Sequence, residues 1–209
     1  MMILKKIVIL IGLIFVLPLS ANPNDILNKF LLNIKGATIS FDYTYSMVQN
    51  NVEFVGEGSL LSKGRGFKLI SDDFDVYCDG KTKWTIEPSA KEVIIENIDS
   101  SEVTNVISDN PALILGNINN NFVLESSSIN GSEVELMLHP TKEIEGFSYL
   151  NLVFLKTQST LIGAKIVLPD GNTIKISISK FVVSKNKNPD FRFDHISSLS
   201  DDYFVTDLR

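Results

Sequence analysis

From residue 37 onward the sequence keeps a period of two. Ile39, Phe41, Tyr43, Tyr45 and Met47 alternate with Ser40, Asp42, Thr44 and Ser46. Successive side chains of a strand point to opposite faces, so this order specifies one long strand with an apolar and a polar face. An apolar face of that length needs neighbours, and the residues that follow supply them. Val52–Leu61 and Gly66–Ser71 read as strands joined by the turn Ser62-Lys63-Gly64-Arg65. Phe74, Val76 and Cys78 then alternate with Asp75, Tyr77 and Asp79. Asp79-Gly80 is a tight-hairpin signal, and Lys83–Glu87 returns with Trp84 and Ile86 on one face. After the turn at Pro88-Ser89, Glu92–Ile98 continues the series.

Later strands are expected at Asn121–Ser126, Ser132–His139, Phe147–Lys156, Leu161–Leu168 and Thr173–Val183, with Asp170-Gly171 marking another hairpin. A last strand is expected near Phe191–Asp194, ahead of a tail containing Tyr203-Phe204-Val205. About ten or eleven strands without βαβ alternation imply one antiparallel sheet, and a sheet that wide tends to curl. Its concave apolar face requires a cover.

Two segments can provide it. Asn22 can cap a helix, Pro23 suits its first turn and Asp25 is an early acid, while Ile26, Leu27, Phe30, Leu31 and Ile34 recur at helical spacing before Gly36. The second is Pro111-Ala112-Leu113-Ile114-Leu115, which Asp109 or Asn110 can cap and Gly116 closes. A short helix that is apolar all round must be buried or plug something. The expected fold class is therefore mainly β with two helical segments: a single curved antiparallel sheet forming an incomplete, unclosed β-barrel lidded by helices.

The first 21 residues stand apart. Lys5 and Lys6 precede the apolar run Ile7–Leu17, Pro18 breaks it, and Leu19-Ser20-Ala21 offers a small residue for cleavage. At 11 residues the run is short of the roughly 20 a spanning helix needs. Residues 1–21 are expected to be a cleaved signal peptide and 22–209 a single domain. The lone cysteine, Cys78, is far from the junction, so no lipid anchor is expected there. The segment carries two of the 19 basic residues and none of the 25 acids, which leaves the remainder at 17 against 25. That balance argues against a nucleic-acid partner, which needs a basic surface.

Chemistry is sparse. No nucleophile elbow, phosphate loop, zinc-peptidase helix or dinucleotide fingerprint occurs. One cysteine and the two histidines, His139 and His195, leave little for a metal centre, and Asp72, Asp73 and Asp75 lack the glycine and distal glutamate of a calcium loop. Cys78 shares a face with Phe74 and Val76 in acidic surroundings, which reads as a small core residue. No cofactor, no metal and no catalytic residue are expected.

Gly56-Glu57-Gly58-Ser59-Leu60, the Lys63/Arg65 turn, the stretch Asp79-Gly80-Lys81-Thr82-Lys83-Trp84, then Glu87-Pro88 and Glu92-Val93 together resemble the periplasmic outer-membrane lipoprotein carrier family, LolA. The early amphipathic helix, Asn110-Pro111 and Phe191-Arg192-Phe193 extend the resemblance over essentially the whole mature chain. It implies a half-barrel whose concave face takes lipoprotein acyl chains: a periplasmic chaperone that carries lipoproteins from the inner to the outer membrane. On that expectation Ile39, Phe41, Tyr43, Tyr45, Met47, Trp84 and Ile86 line the acyl-chain cavity, and Pro111, Leu113, Ile114 and Leu115 form its lid. Typical members read Lys-Arg-Pro where this chain reads Lys63-Gly64-Arg65-Gly66, and the resemblance implies Arg65, offset by about one residue, as the counterpart of the arginine that couples lid opening to transfer. The implied partners are lipoproteins as cargo, an inner-membrane ABC-type release complex, and an outer-membrane acceptor, with the carrier itself a monomer. A lipid- or glycolipid-binding protein or a lipoprotein-sensing domain of the same fold is the alternative. A hydrolase built around His139 or His195 is a third reading.

Overall fold

The computed structural model describes residues 22–49, 52–98, 115, 118–141, 148–194, 196 and 199–209. The expected signal peptide, His195, and Pro111, Leu113 and Ile114 lie outside the described residues. Helix α1, Pro23–Ile34, starts and stops as its sequence dictates. The Asn22 side chain accepts a bond from the Asn24 backbone N–H at 3.1 Å, Pro23 occupies the first turn, and Gly36, at φ +67°, turns the chain past the last residues. Ile26, Leu27, Phe30 and Ile34 are buried, each worth about 1.5–3 kcal/mol of transfer free energy.

The strands are β1 (Thr38–Gln49), β2 (Val52–Lys63), β3 (Gly66–Ser71), β4 (Asp75–Cys78), β5 (Thr82–Glu87) and β6 (Glu92–Asn97). Helix α2 (Ile118–Asn121) follows, then β7 (Phe122–Asn130), β8 (Glu133–Pro140), β9 (Tyr149–Leu155), β10 (Thr160–Val167), β11 (Thr173–Ser184) and β12 (Phe204–Asp207). All twelve join one sheet in the order β12-β6-β5-β4-β3-β2-β1-β11-β10-β9-β8-β7. The sheet ends in two edges, β12 and β7, and does not close. Mainly β, one wide unclosed sheet and helices against it are the expected class.

The C-terminal end differs from expectation in two ways. Residues 191–194 form no strand, and the true last strand, β12, pairs parallel to β6 (Phe204 opposite Glu92), which makes the sheet mixed. Both follow from where the chain goes after β11. It passes the ends of β1 and β2, where Lys187 C=O accepts from Thr38 Oγ1 at 2.7 Å and from Lys63 Nζ at 3.0 Å. It then crosses the face of β3–β6, where its rings pack on the sheet. Phe191 lies over Gly66 and Phe193 packs on Tyr77 at 5.0 Å between centroids.

Residues opposite one another in adjacent strands share a face, so the register separates two surfaces. The inner face carries α1: Phe30 meets Phe154 of β9 at 5.2 Å and Phe181 of β11 at 5.7 Å. Phe41 lies in the same cluster and stacks on Phe181, 5.7 Å away and 12° from parallel. At that point β11 carries a bulge, because Asp42 pairs with Ser179 whereas Ser40 pairs with Val182. The line from Phe41 through Leu60 and Leu69 to Val76 continues the inner face, and the line from Ser40 through Leu61, Lys68 and Tyr77 to Trp84 is the outer one.

Candidate functional site

The inner face is not completely filled. Between the middle of β1–β3 and the strands β9–β11 lies a cavity of about 250 Å³ with almost entirely apolar walls. Phe41, Tyr43 and Tyr45 line one side, Leu150, Leu152 and Ile176 the other, and Leu115 projects into it. The alternation that defines β1 thus produces a wall, and its aromatic members are the expected cavity residues. Ile39 is part of the packed core beneath α1 and is absent from this lining. Met47 is on the same face, opposite Phe54 and Ile174, near the β1–β2 hairpin end and beyond the lining.

Two glycines shape the tyrosine side. Tyr43 is opposite Gly58 and Tyr45 opposite Gly56. A Cβ at Gly58 would stand 2.6 Å from the Tyr43 hydroxyl oxygen and 2.3 Å from the Ile70 carbonyl oxygen, and one at Gly56 would stand 2.6 Å from the Tyr45 ring. The missing side chains let both rings lie down on β2 instead of standing across the cavity. Burial, reinforced by the nearby Tyr45 and Asp72, pushes the Tyr43 phenol up to about 12. The Tyr43 phenol is therefore neutral at physiological pH.

Trp84 and Ile86 correct the expectation. They share the outer face with Tyr77, opposite Ile95 and Val93, and form a separate cluster under Phe193, Ile196, Leu199 and Tyr203 of the C-terminal segment. They line a closed contact and not the cavity. Period two states which residues share a face, but it does not state which face is concave.

A second, larger cavity of about 800 Å³ opens where α1 ends against the β2–β3 turn. Leu31, Ile34 and Ile39 supply apolar wall, while Lys35, Lys63 and Arg65 supply cations. Leu115, only 7% exposed, borders this cavity and the apolar one alike. Of the expected lid residues Leu115 is the one described, and Arg65, the expected coupling residue, shares a cavity with it. Cys78 is fully buried beside that turn, its thiol 3.6 Å from the Arg65 carbonyl oxygen, and burial raises it to about 11. This is a core thiol, not a nucleophile. His139 is exposed on β8 and points to the outer face, since its neighbour Leu138 is in the inner core. Among the described residues no group of three or more His, Cys, Asp or Glu could hold a metal ion.

The cavity residues missed by sequence reasoning come from β2, β3 and β9–β11, among them Leu60, Leu69, Leu150, Ile174 and Ile176. The signal was present in the alternation of β10 and β11, where Ala164 and Ile166 stand opposite Ile176 and Ile174.

The model of the family described as outer membrane lipoprotein carrier protein LolA matches residues 71–194, more than half of the chain. No curated protein matches by sequence. Among solved structures, an uncharacterized conserved protein from Thermus thermophilus is 11% identical and superposes with a TM-score of 0.51 over 88% of this chain and 98% of its own. A LolA superfamily protein from Nitrosomonas europaea is 13% identical, with a TM-score of 0.44 over 85% of this chain and all of its own.

Proposed function

We propose, from the premise that the chain belongs to the outer membrane lipoprotein carrier protein family, LolA, that its apolar cavity shelters lipoprotein acyl chains during transfer between two membranes. The observation that carries this reading is the almost wholly apolar cavity on the inner face of the sheet, walled by Phe41, Tyr43 and Tyr45 on one side and Leu150, Leu152 and Ile176 on the other. Each CH₂ buried there is worth about 0.8 kcal/mol, so an acylated polypeptide in water gains strongly from such a site. Size adds a condition. A cavity of about 250 Å³ exceeds the roughly 150 Å³ that accepts benzene but is smaller than the range of about 300–1,000 Å³ common for ligand sites. Several chains would fit only if Leu115 withdrew and the two cavities merged.

That condition explains how cargo could be released. Leu115 fills space that acyl chains would take, so entering chains gain only the difference between two apolar fillings. Affinity stays moderate, and hand-over to an acceptor can run downhill without ATP at that step. In this reading the protein works in the periplasm after removal of residues 1–21. It accepts lipoproteins from an inner-membrane ABC-type release complex, delivers them to an outer-membrane acceptor, and acts as a monomeric carrier, not an enzyme. Arg65, which lines the same larger cavity as Leu115, is the residue proposed to couple its movement to transfer.

The test is native mass spectrometry of the protein recovered from the periplasm, with its N-terminus sequenced. A mature chain beginning at Asn22 and carrying an acylated polypeptide is the expected result. Free lipid alone would point to a lipid-binding protein of the same fold. An empty protein that also refuses lipoprotein released from inner membranes would refute the reading.

A further inference from the structure

The larger cavity has a composition that the acyl-chain reading does not use. The chain has more acids than bases, yet the lining between α1 and the β2–β3 turn includes Lys35, Lys63 and Arg65 and, among the described residues, no Asp or Glu. Ser62, Asn119 and Asn120 add hydrogen-bonding groups. Next to these lies an apolar floor of Leu31, Ile34 and Ile39, and beyond Leu115 lies the almost wholly apolar cavity. A polar cationic chamber and an apolar one, with Leu115 the residue bordering both among the described residues, have the layout of an amphiphile: charged end outside, chains inside.

We infer that the ligand is anionic beside the residue that bears its acyl chains, and that Lys35, Lys63 and Arg65 receive this anion, a carboxylate of the cargo polypeptide, while the chains pass Leu115. The inference rests on the acyl-chain reading of the inner cavity and adds the charge of the ligand to it. Lys63 is already held in place, since its Nζ donates to the Lys187 carbonyl oxygen at 3.0 Å. An ammonium has three donors, so this bond leaves capacity for an anion. Lys35 lies at the end of α1 and is exposed. Charge pairing in open surroundings is weak for each pair. The cations are thus suited to selecting among ligands, while the buried chains provide the affinity.

The experiment is calorimetric titration of the mature protein with dodecyl phosphate, dodecyl maltoside and inorganic phosphate, each below its micellar concentration where it has one. Dodecyl phosphate should bind roughly fivefold tighter than the maltoside, an advantage expected from two weak pairs. Raising the ionic strength, or the double change Lys35→Gln with Arg65→Gln, should erase it. Lys35→Glu alone should reverse the preference while leaving maltoside binding in place, which separates lost charge from lost fold. Equal binding of the two amphiphiles would overturn this inference and leave the acyl-chain reading standing. Inorganic phosphate binding as tightly as dodecyl phosphate would also overturn it, because the anion would then need no chain. If neither amphiphile binds, both readings fall.

Discussion

The two apolar surfaces of this sheet lie on opposite faces, and the chain treats them differently. Across β9–β11 the inner face is apolar, with Leu150, Leu152, Ile166 and Ile176, and the outer face carries Lys165 and Lys175. Across β5 and β6 the arrangement is reversed. There the outer face holds Trp84, Ile86, Val93 and Ile95, while Lys83 and Glu96 form an ion pair at 2.6 Å on the inner one. The outer cluster is covered by the chain's own end, which crosses it and is then fastened as β12 by a hydrogen-bonded ladder on β6. The inner surface is covered in part by α1 and bordered by Leu115, with a cavity left over. A cover locked by backbone pairing is structural. The inner surface, bordered among the described residues by Leu115, is the one that the proposed function fills with ligand.

The largest effect that could break this comparison is at Trp84. Trp84→Ala should cost about 3–5 kcal/mol of stability, read by urea unfolding, because a large buried side chain leaves a cavity under a cover that cannot collapse. Dodecyl maltoside binding by the folded fraction should be unchanged within a factor of two. A parallel loss of affinity would show that the two surfaces are not independent.

Next comes the exchangeable side. Leu115→Ala removes most of the apolar filler, so ligand need not displace it; acyl chains should be retained longer, with release slowed several-fold. Ala164→Phe acts in the opposite direction by filling the cavity from β10. It should weaken amphiphile binding at least about tenfold, with about 1–3 kcal/mol of overpacking cost. Unchanged release in the first variant would remove Leu115 from the lid, and unchanged affinity in the second would place the chains elsewhere.

What could be read in advance follows from the same contrast. Capping residues, hairpin glycines and alternation are local signals, and α1, β1 and the meander were legible from them. The faces were not. Trp84 and Ile86 alternate with polar neighbours just as Tyr43 and Tyr45 do, and which side is concave depends on strands far away in the sequence. The C-terminal segment misled for a related reason. Phe191 and Phe193, two apart, look like a strand with one apolar face, but their rings are used against Gly66 and Tyr77 and residues 191–194 form no strand. The cavity strands β9–β11 were visible as strands, yet only their register across β1 shows that they form the wall opposite the tyrosines.

A smaller effect separates the two glycines beneath those tyrosines. Gly58→Ala drives a methyl toward the Ile70 carbonyl oxygen, a backbone atom that cannot swing aside, and should cost about 1–3 kcal/mol. Gly56→Ala meets only the Tyr45 ring, which can rotate into the cavity. Its strain is offset by about 0.4–1 kcal/mol from a stiffer unfolded chain, so stability should change little. Binding should still fall, because the displaced ring takes up ligand space. If Gly56→Ala lowers stability as much as Gly58→Ala while binding is intact, the tyrosines brace the sheet and do not shape the cavity.

The smallest effect concerns the charge of the wall. Tyr43 titrates near 12 in the folded protein against an ordinary value of 10, with burial the main cause. Between those two values the folded state keeps a proton that the unfolded state has lost, so stability must fall as pH rises. The Cys78 thiol, raised to about 11 from 9, contributes in the same direction beginning lower. Tyr43→Phe removes the first contribution and leaves the second, so the stability of the variant should decline less steeply than that of the parent above pH 10, with curves that run parallel near neutrality. The ring remains to cover Gly58, so amphiphile affinity at pH 7 should be retained. Identical alkaline slopes would mean that the Tyr43 hydroxyl reaches water, and that the tyrosine side of the cavity is wetter than the leucine side facing it.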